Sequence, residues 1–365
     1  MADDGRIEKI REFMTTWDNS PRPPLEAWSD RNKANLMAST QSTRFIPLFR
    51  AFDLLAMPQQ SLLILQNDDH RIGVESVCGA QEHFHRYVDS DIVYFQVCGQ
   101  TTLETEFGEY NMRPGELMFI PEGIAHHSTG GVDSLRWFAI AHEPFTDFFD
   151  ESRYTSHTEF EVKRIGGPNW QIAPGQARAP REGKVKEIMH CWDDRADDLT
   201  LAERDYAYLV GASSTNIREK VSGIRKLRAF DFFTEIVGKK GGSDPIFKGP
   251  NLEIKTYNIV GEQFAFHRAL RSEEIRIQFR GNALDMSEFE NVPIQPGEVT
   301  IIPRGIAHSV ITTPPDSRDF LRLNFYSSLP WRVTADLTKH ACHSHFEVKT
   351  IVRREAEWRR VAAAE

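Results

Sequence analysis

His83 to Gly99 reads HFHRYVDSDIVYFQVCG, and Phe264 to Gly281 reads FAFHRALRSEEIRIQFRG. Further on come RPGELMFIPEGIAHHS, from Arg113 to Ser128, and QPGEVTIIPRGIAHSV, from Gln295 to Val310. His85 and His267 stand 182 positions apart, as do Gly99 and Gly281, Gly115 and Gly297, Pro121 and Pro303, and His126 and His308. Gapless register over two such stretches is an internal duplication. Its echoes run wider: FRAFDLLA from Phe49 answers to LRAFDFFT from Leu227, and FEVKRI from Phe160 to FEVKTI from Phe346. The offset drifts from 178 to 186 between these outer echoes, so each segment has gained a few residues within one ancestral unit.

Inside each unit the pattern is that of strands. SLLILQ, DIVYFQV, TTLETEFGEYNM, ELMFIP and SLRWFAIA are short, rich in β-branched and aromatic residues, and separated by Gly, Pro or Asp turns. Short strands at close spacing predict a small β-barrel or double-sheet jelly roll. The expected architecture is therefore dominated by β-structure, with two tandem barrel domains at 46–170 and 224–352. The segment 171–223 between them, REGKVKEIMHCWDDRADDLTLAERDYAYLV at its centre, has charged helical spacing and is expected to be a helical connector. A helical N-terminal arm is expected over 1–45, from GRIEKIREFMTTW, and a short charged tail over 353–365.

At 365 residues the chain is long enough for two domains with their own cores, and its 40% apolar content with 24 Phe and 7 Trp is that of a folded protein. A net charge of −9 with no basic block argues against nucleic acid and anionic membrane as partners. No apolar run has the length of a membrane span, and MADDGRIEKI lacks the basic start and apolar core of a signal peptide. The four cysteines show neither metal-like nor disulfide-like spacing, so a reducing cytoplasm is the expected location.

His83 and His85 lie two apart on a predicted strand, so both project from one face. His126 follows the IPEG turn and brings in a third imidazole. Three neutral imidazoles suit a divalent Fe, Ni, Cu or Zn better than Mg or Ca. In the second unit Ala265 replaces the first histidine of the pair, leaving His267 and His308, while RSEEI supplies Glu273 and Glu274. Two histidines with one of these carboxylates form the ligand set of non-haem Fe(II) oxygenases. Alternation places Glu274, Arg276 and Gln278 on one face of the strand and Ile275, Ile277 and Phe279 on the other. Arg276 is a candidate partner for a substrate carboxylate. Tyr94, Gln96 and Gln278 are candidate hydrogen-bond donors around the two pockets. His127 points away from His126 by alternation, toward the surrounding shell or the surface, and is kept as a candidate catalytic residue. HACHSHF, with His340, Cys342, His343 and His345, is read as a surface loop because the other copy lacks the cluster.

The order HxH, an acid, six residues and Gly, followed by G…PxG…H, resembles the two-part signature of cupins, and two copies resemble a bicupin. That signature sets its carboxylate ligand seven residues before the closing glycine, which implies Glu274 in the second unit and finds Ile92 in the first. The gap from His267 to Glu274 is longer than the signature's, so Glu273, matched by Asp91 in the first unit, stays open as the alternative. Among bicupins, LETEFG…PGE…IPxGIAH is similar to the homogentisate dioxygenase-like group, whereas three histidines without a carboxylate in the first unit resemble gentisate-type dioxygenases. Both resemblances imply Fe(II)-dependent opening of a hydroxylated aromatic ring by O2, in a homo-oligomer, and they differ on which unit performs it. The competing expectations are a metal-dependent bicupin that does not insert oxygen, such as a decarboxylase or isomerase of a small acid, and a non-catalytic binding or storage bicupin.

Overall fold

The computed structural model describes residues 12–15, 46–48, 55, 60–131, 133–148, 156–165, 182–192, 200–205, 225–228, 241–259, 261, 266–287, 290–315, 320–334 and 345–354. Among these residues the regular structure is all strand. No helix among them is long and apolar enough to cross a membrane.

Each repeated unit is built on two sheets. In the first, Asp91–Cys98 lies between Glu116–Ile120 and Leu135–Ala141 in one sheet, and Phe84–Tyr87 pairs with His126–Gly130 in the other. The second repeats the plan, with Glu273–Arg280 between Val299–Ile302 and Leu321–Ser327, and Phe266–Ala269 paired with Ala307–Thr313. The period of two decides what each central strand does. Val93, Phe95 and Val97, with Ile275, Ile277 and Phe279, enter one large apolar core that runs through both units. Ile92 and Tyr94 belong instead to a separate cluster inside the first unit, and Glu274 and Arg276 are buried inside the second. Phe279 forms the centre of the shared core, meeting Phe95 edge-on at 5.4 Å and Phe160 at 4.9 Å between ring centroids. Each fully buried Phe contributes roughly 1.5–3 kcal/mol of transfer free energy.

The two units also cover each other's sheet edges. Ile46–Leu48 pairs with Val299–Ile302 of the second unit, and Arg225–Arg228 pairs with Glu116–Ile120 of the first. Ser156–Ile165 and His345–Arg354 zip together antiparallel. Such exchange leaves fewer open backbone groups at the edges.

The repeated motifs have visible mechanical roles. In both PGE turns the glutamate accepts a hydrogen bond from the backbone three residues back, Arg113 N to Glu116 at 2.7 Å and Gln295 N to Glu298 at 2.8 Å. The HR pair serves the PxG turn: Arg86 and Arg268 each donate to the carbonyl of the turn glycine, Gly123 and Gly305. This ties His85 and His267 to the turns that precede His126 and His308.

The helical readings of 1–45 and 171–223 fall largely outside the described residues. Those that are described there, Glu12–Thr15, Lys184–His190 and Thr200–Asp205, are strands. In Lys184–His190 the reason is a period of two: Val185 and Glu187 are buried while Lys184 and Lys186 are exposed. Glu187, fully buried, holds Arg86 at 2.6 Å and so joins this strand to the first unit. Of the HACHSHF cluster, His340, Cys342 and His343 lie outside the described residues, as does most of the tail, whereas His345, read as part of a surface loop, opens the strand His345–Arg354.

Gly115 and Gly297 adopt φ of +85° and +88°, and a Cβ at either would overlap the ring of Phe160 or Phe346, the first residue of the FEVK echo. Gly115→Ala and Gly297→Ala are each expected to lower stability by about 1–3 kcal/mol in chemical denaturation. Gly131→Ala, in open space, should change it by less than about 0.5 kcal/mol.

Candidate metal centre

Antiparallel pairing sets His267 directly opposite His308, and the imidazole centroids are 4.0 Å apart. Glu274 reaches the pair from the facing sheet. Its Oε2 lies 3.2 Å from His308 Nε2 and 4.0 Å from His267 Nε2. Among the described residues, His267, Glu274 and His308 form the one set of three metal-capable side chains whose ligand atoms all fall within 4.8 Å of one another. Bonds of about 2.1 Å to a single ion place neighbouring ligand atoms roughly 3.0–3.4 Å apart.

The protonation pattern fits a cation. His308 Nδ1 sits 2.9 Å from the Ile306 carbonyl, which only accepts, so Nδ1 carries the proton. Burial, followed by the nearby Arg276 guanidinium, pushes the His308 imidazolium toward its neutral form. Its Nε2 then presents a lone pair to Glu274. Burial acts to raise the Glu274 carboxyl, but the Arg276 charge beside it holds the group well below the usual carboxylate range. An ionised oxygen and an imidazole lone pair at 3.2 Å repel unless a positive centre lies between them.

The other carboxylate oxygen is already occupied. Glu274 Oε1 accepts from Asn324 Nδ2 at 2.8 Å, Arg276 Nε at 2.9 Å and the Tyr326 hydroxyl at 3.1 Å. Beneath it, Asp285 Oδ1 takes Arg322 Nη2 at 2.9 Å and lies 3.4 Å from Arg276 Nη1. Two acids and two guanidiniums thus balance in a nearly dry interior. Arg276, read from sequence as a partner for a substrate carboxylate, is committed to this network. Gln278 accepts from Arg322 and donates to the Arg280 and Gly281 carbonyls, which places it beside the turn. Glu273 points elsewhere, accepting the Trp331 backbone N–H at 2.7 Å. Asp91 does the same for Phe145 at 3.0 Å. Of the two glutamates, Glu274 is the one beside the histidines.

The first unit has the same frame with different contents. His126 stands opposite His85, but His83, His85 and His126 are not brought within that ligand spacing as a set. His126 Nδ1 is 3.2 Å from the Ile124 carbonyl, and its Nε2 accepts from the Tyr94 hydroxyl at 3.0 Å. Burial pushes its pKa down to about 3. His85 Nδ1 lies 3.0 Å from Nε2 of His190, a residue of the Lys184–His190 strand. The interior pairing shows the divergence. Where the second unit sets Glu274 opposite Tyr326 and Arg276 opposite Asn324, the first sets Ile92 opposite Ile140 and Tyr94 opposite Phe138. Gln96 binds the Cys98 carbonyl and Ser134, away from the histidines. His127 does face away from His126, but it is fully buried, its Nε2 donating to the Gln81 carbonyl at 2.5 Å. The surface reading fails because Phe84 packs against its ring at 5.2 Å.

Sequence reasoning passed over Asp285, Arg322, Asn324, Tyr326 and His190. For Arg322, Asn324 and Tyr326 a signal was present: they alternate with Leu321, Leu323 and Phe325 along LRLNFYS. His190 was hidden in a stretch read as helical.

No protein-family profile matches the chain, and no curated protein matches it. Solved structures do. A cupin 2 conserved barrel domain protein from Leptotrichia buccalis matches at 13% identity and TM-score 0.44, over 77% of this chain and 96% of that one. Salicylate 1,2-dioxygenase from Pseudaminobacter salicylatoxidans matches at 10% identity and TM-score 0.42, over 84% and 86%. A variant of Bacillus subtilis oxalate decarboxylase matches at 12% identity and TM-score 0.40, over 77% and 76%. With superposition this loose, activity has to be argued from the chain's own side chains.

Removing Asp285 leaves the buried Arg322 guanidinium without its carboxylate partner and Arg276 with Glu274 alone. Asp285→Ala is expected to cost about 3–5 kcal/mol in chemical denaturation.

Proposed function

We propose that the chain is a metal-dependent oxygenase that uses Fe(II), held by His267, Glu274 and His308, to open a small hydroxylated aromatic ring with O2. The carrying observation is the convergence of Glu274 Oε2 and His308 Nε2 at 3.2 Å, with the His267 imidazole beside them and all three ligand atoms within 4.8 Å of one another. Two histidines and one carboxylate are the donor set that suits ferrous iron in oxygenases. The substrate class is supported by the resemblance of the sequence motifs to homogentisate- and gentisate-type bicupins. Candidate rings are gentisate, homogentisate, a hydroquinone or a substituted salicylate.

When bound, such an ion acidifies a phenolic hydroxyl and brings the ring and O2 side by side. The protein's part is positioning. The Ile306 carbonyl keeps the proton on His308 Nδ1, so that Nε2 faces the centre. Arg276, Asn324 and Tyr326 restrain Glu274 through Oε1 and leave Oε2 toward the histidines. The His267 side chain is 17% exposed against 1% for the other two, so its side is the one that solvent and substrate reach.

Anaerobic reconstitution with Fe(II), followed by oxygen-electrode screening of these rings, tests the reading. One O2 is expected to disappear per ring opened. His308→Ala and Glu274→Gln should each remove most of the bound iron by elemental analysis and abolish uptake, whereas His126→Ala should retain the iron. Iron bound tightly with no ring consuming O2 would shift the assignment to a bicupin that does not insert oxygen.

A further inference from the structure

The N-terminal strand and the connector strand are a further pair of copies. REFMTTWDN, from Arg11 to Asn19, answers to KEIMHCWDD, from Lys186 to Asp194. A constant offset of 175 sets Glu12 with Glu187, Met14 with Met189, Trp17 with Trp192 and Asp18 with Asp193. The strand pairings agree with this likeness residue for residue. Lys184–His190 runs parallel to Phe84–Tyr87, with Glu187 beside Phe84 and His190 beside Tyr87. Glu12–Thr15 runs parallel to Phe266–Ala269, with Glu12 beside Phe266 and Thr15 beside Ala269. These are the two parallel pairings among the described residues. Phe84 and Phe266 are themselves 182 apart, so Glu12 takes in the second unit the register position that Glu187 takes in the first.

We infer that the strand Glu12–Thr15 belongs to the second unit's metal centre, with Glu12 the positioning acid for Arg268 as Glu187 is for Arg86. The inference rests on the reading of His267, Glu274 and His308 as a metal centre and names a residue that holds it in shape.

The first unit shows what such an acid does. Glu187 is fully buried, and its carboxylate takes Arg86 Nε at 2.6 Å. Arg86 in turn donates to the Gly123 carbonyl, in the turn before His126. Arg268 follows His267 in the chain, is itself buried, and donates to the Gly305 carbonyl, in the turn before His308. It therefore links one candidate ligand to the turn that delivers the other. A buried guanidinium is held at low cost only where an acid balances its charge and accepts its N–H groups. A neutral side chain at position 12 would loosen this clamp and with it the spacing of the two histidines. Partners outside the ligand set tune metal affinity through such positioning.

The test uses the full chain with Co(II) alone, whose visible absorption reports ligand geometry. Glu12→Gln should weaken Co(II) binding about tenfold or more and alter the spectrum. Glu12→Asp, which keeps the charge, should recover most of the affinity, and Glu187→Gln, in the other unit, should leave it within about twofold. A double-mutant cycle of Glu12→Gln with Arg268→Gln is read by chemical denaturation of the metal-free protein. It should show a coupling of about tenfold or more in the unfolding equilibrium. Unchanged Co(II) affinity and spectrum in Glu12→Gln, or a coupling below about twofold, overturns the inference. Should the unaltered chain take up no Co(II), the reading of a metal centre falls by itself, and the metal-free cycle still decides whether Glu12 serves Arg268.

Discussion

Strand alternation is the constraint on which the rest of this molecule depends. Asp91–Cys98 and Glu273–Arg280 each have two faces, and both faces are buried. One face of each joins the single apolar core that welds the units, through Phe95 and Phe279. The other face lines the interior of its own unit. A slip of one residue in either strand would exchange these faces, driving Glu274 and Arg276 into an apolar core and Phe279 into the site. The penalty for stranding charges there is several kcal/mol per ion, so the shared core and the candidate site hold each other in register.

The duplication allowed the two interiors to diverge without disturbing that frame. In the second unit a carboxylate at position 274 required a guanidinium beside it, and Arg276 in turn leans on Asp285, which also holds Arg322. Buried charges persist only when paired and hydrogen-bonded, and this set is nearly closed on itself. Its surplus lies at one point, where Glu274 Oε2 faces the two histidines. In the first unit Ile92 removed the need for such compensation. The equivalent volume became aromatic and partly empty, and the buried Arg136 there pairs with Glu75 and stacks on Tyr94. One frame thus yields one interior built on an ion-pair network and another lined largely by aromatic and apolar side chains.

The repeated turns hold these interiors in place. Arg86 and Arg268 clamp the glycine carbonyls just before His126 and His308, and the PGE glutamates cap their own turns. Gly115 and Gly297 leave room for Phe160 and Phe346, residues from the distant echo of the repeat. That packing explains why the FEVK segments recur alongside the histidine motifs although they carry no chemistry.

Much of this was legible in the chain itself. Repetition at a spacing of 182 revealed two units, period-two patterning revealed strands, and the alternation of Glu274, Arg276 and Gln278 against Ile275, Ile277 and Phe279 assigned their faces, because side-chain direction along a strand is a local property. Partner choice is not local. Only the tertiary structure decided that Arg276 binds Glu274 and Asp285, that Glu273 caps Trp331, and that Tyr94 occupies His126. It also brought His190 beside His85 from a segment whose charged spacing had suggested a helix; there Glu187, buried against Arg86, and pairing with Phe84–Tyr87 made a strand. A sequence states which groups face inward, whereas which of them meet depends on strand pairings and sheet packing between residues far apart in the chain.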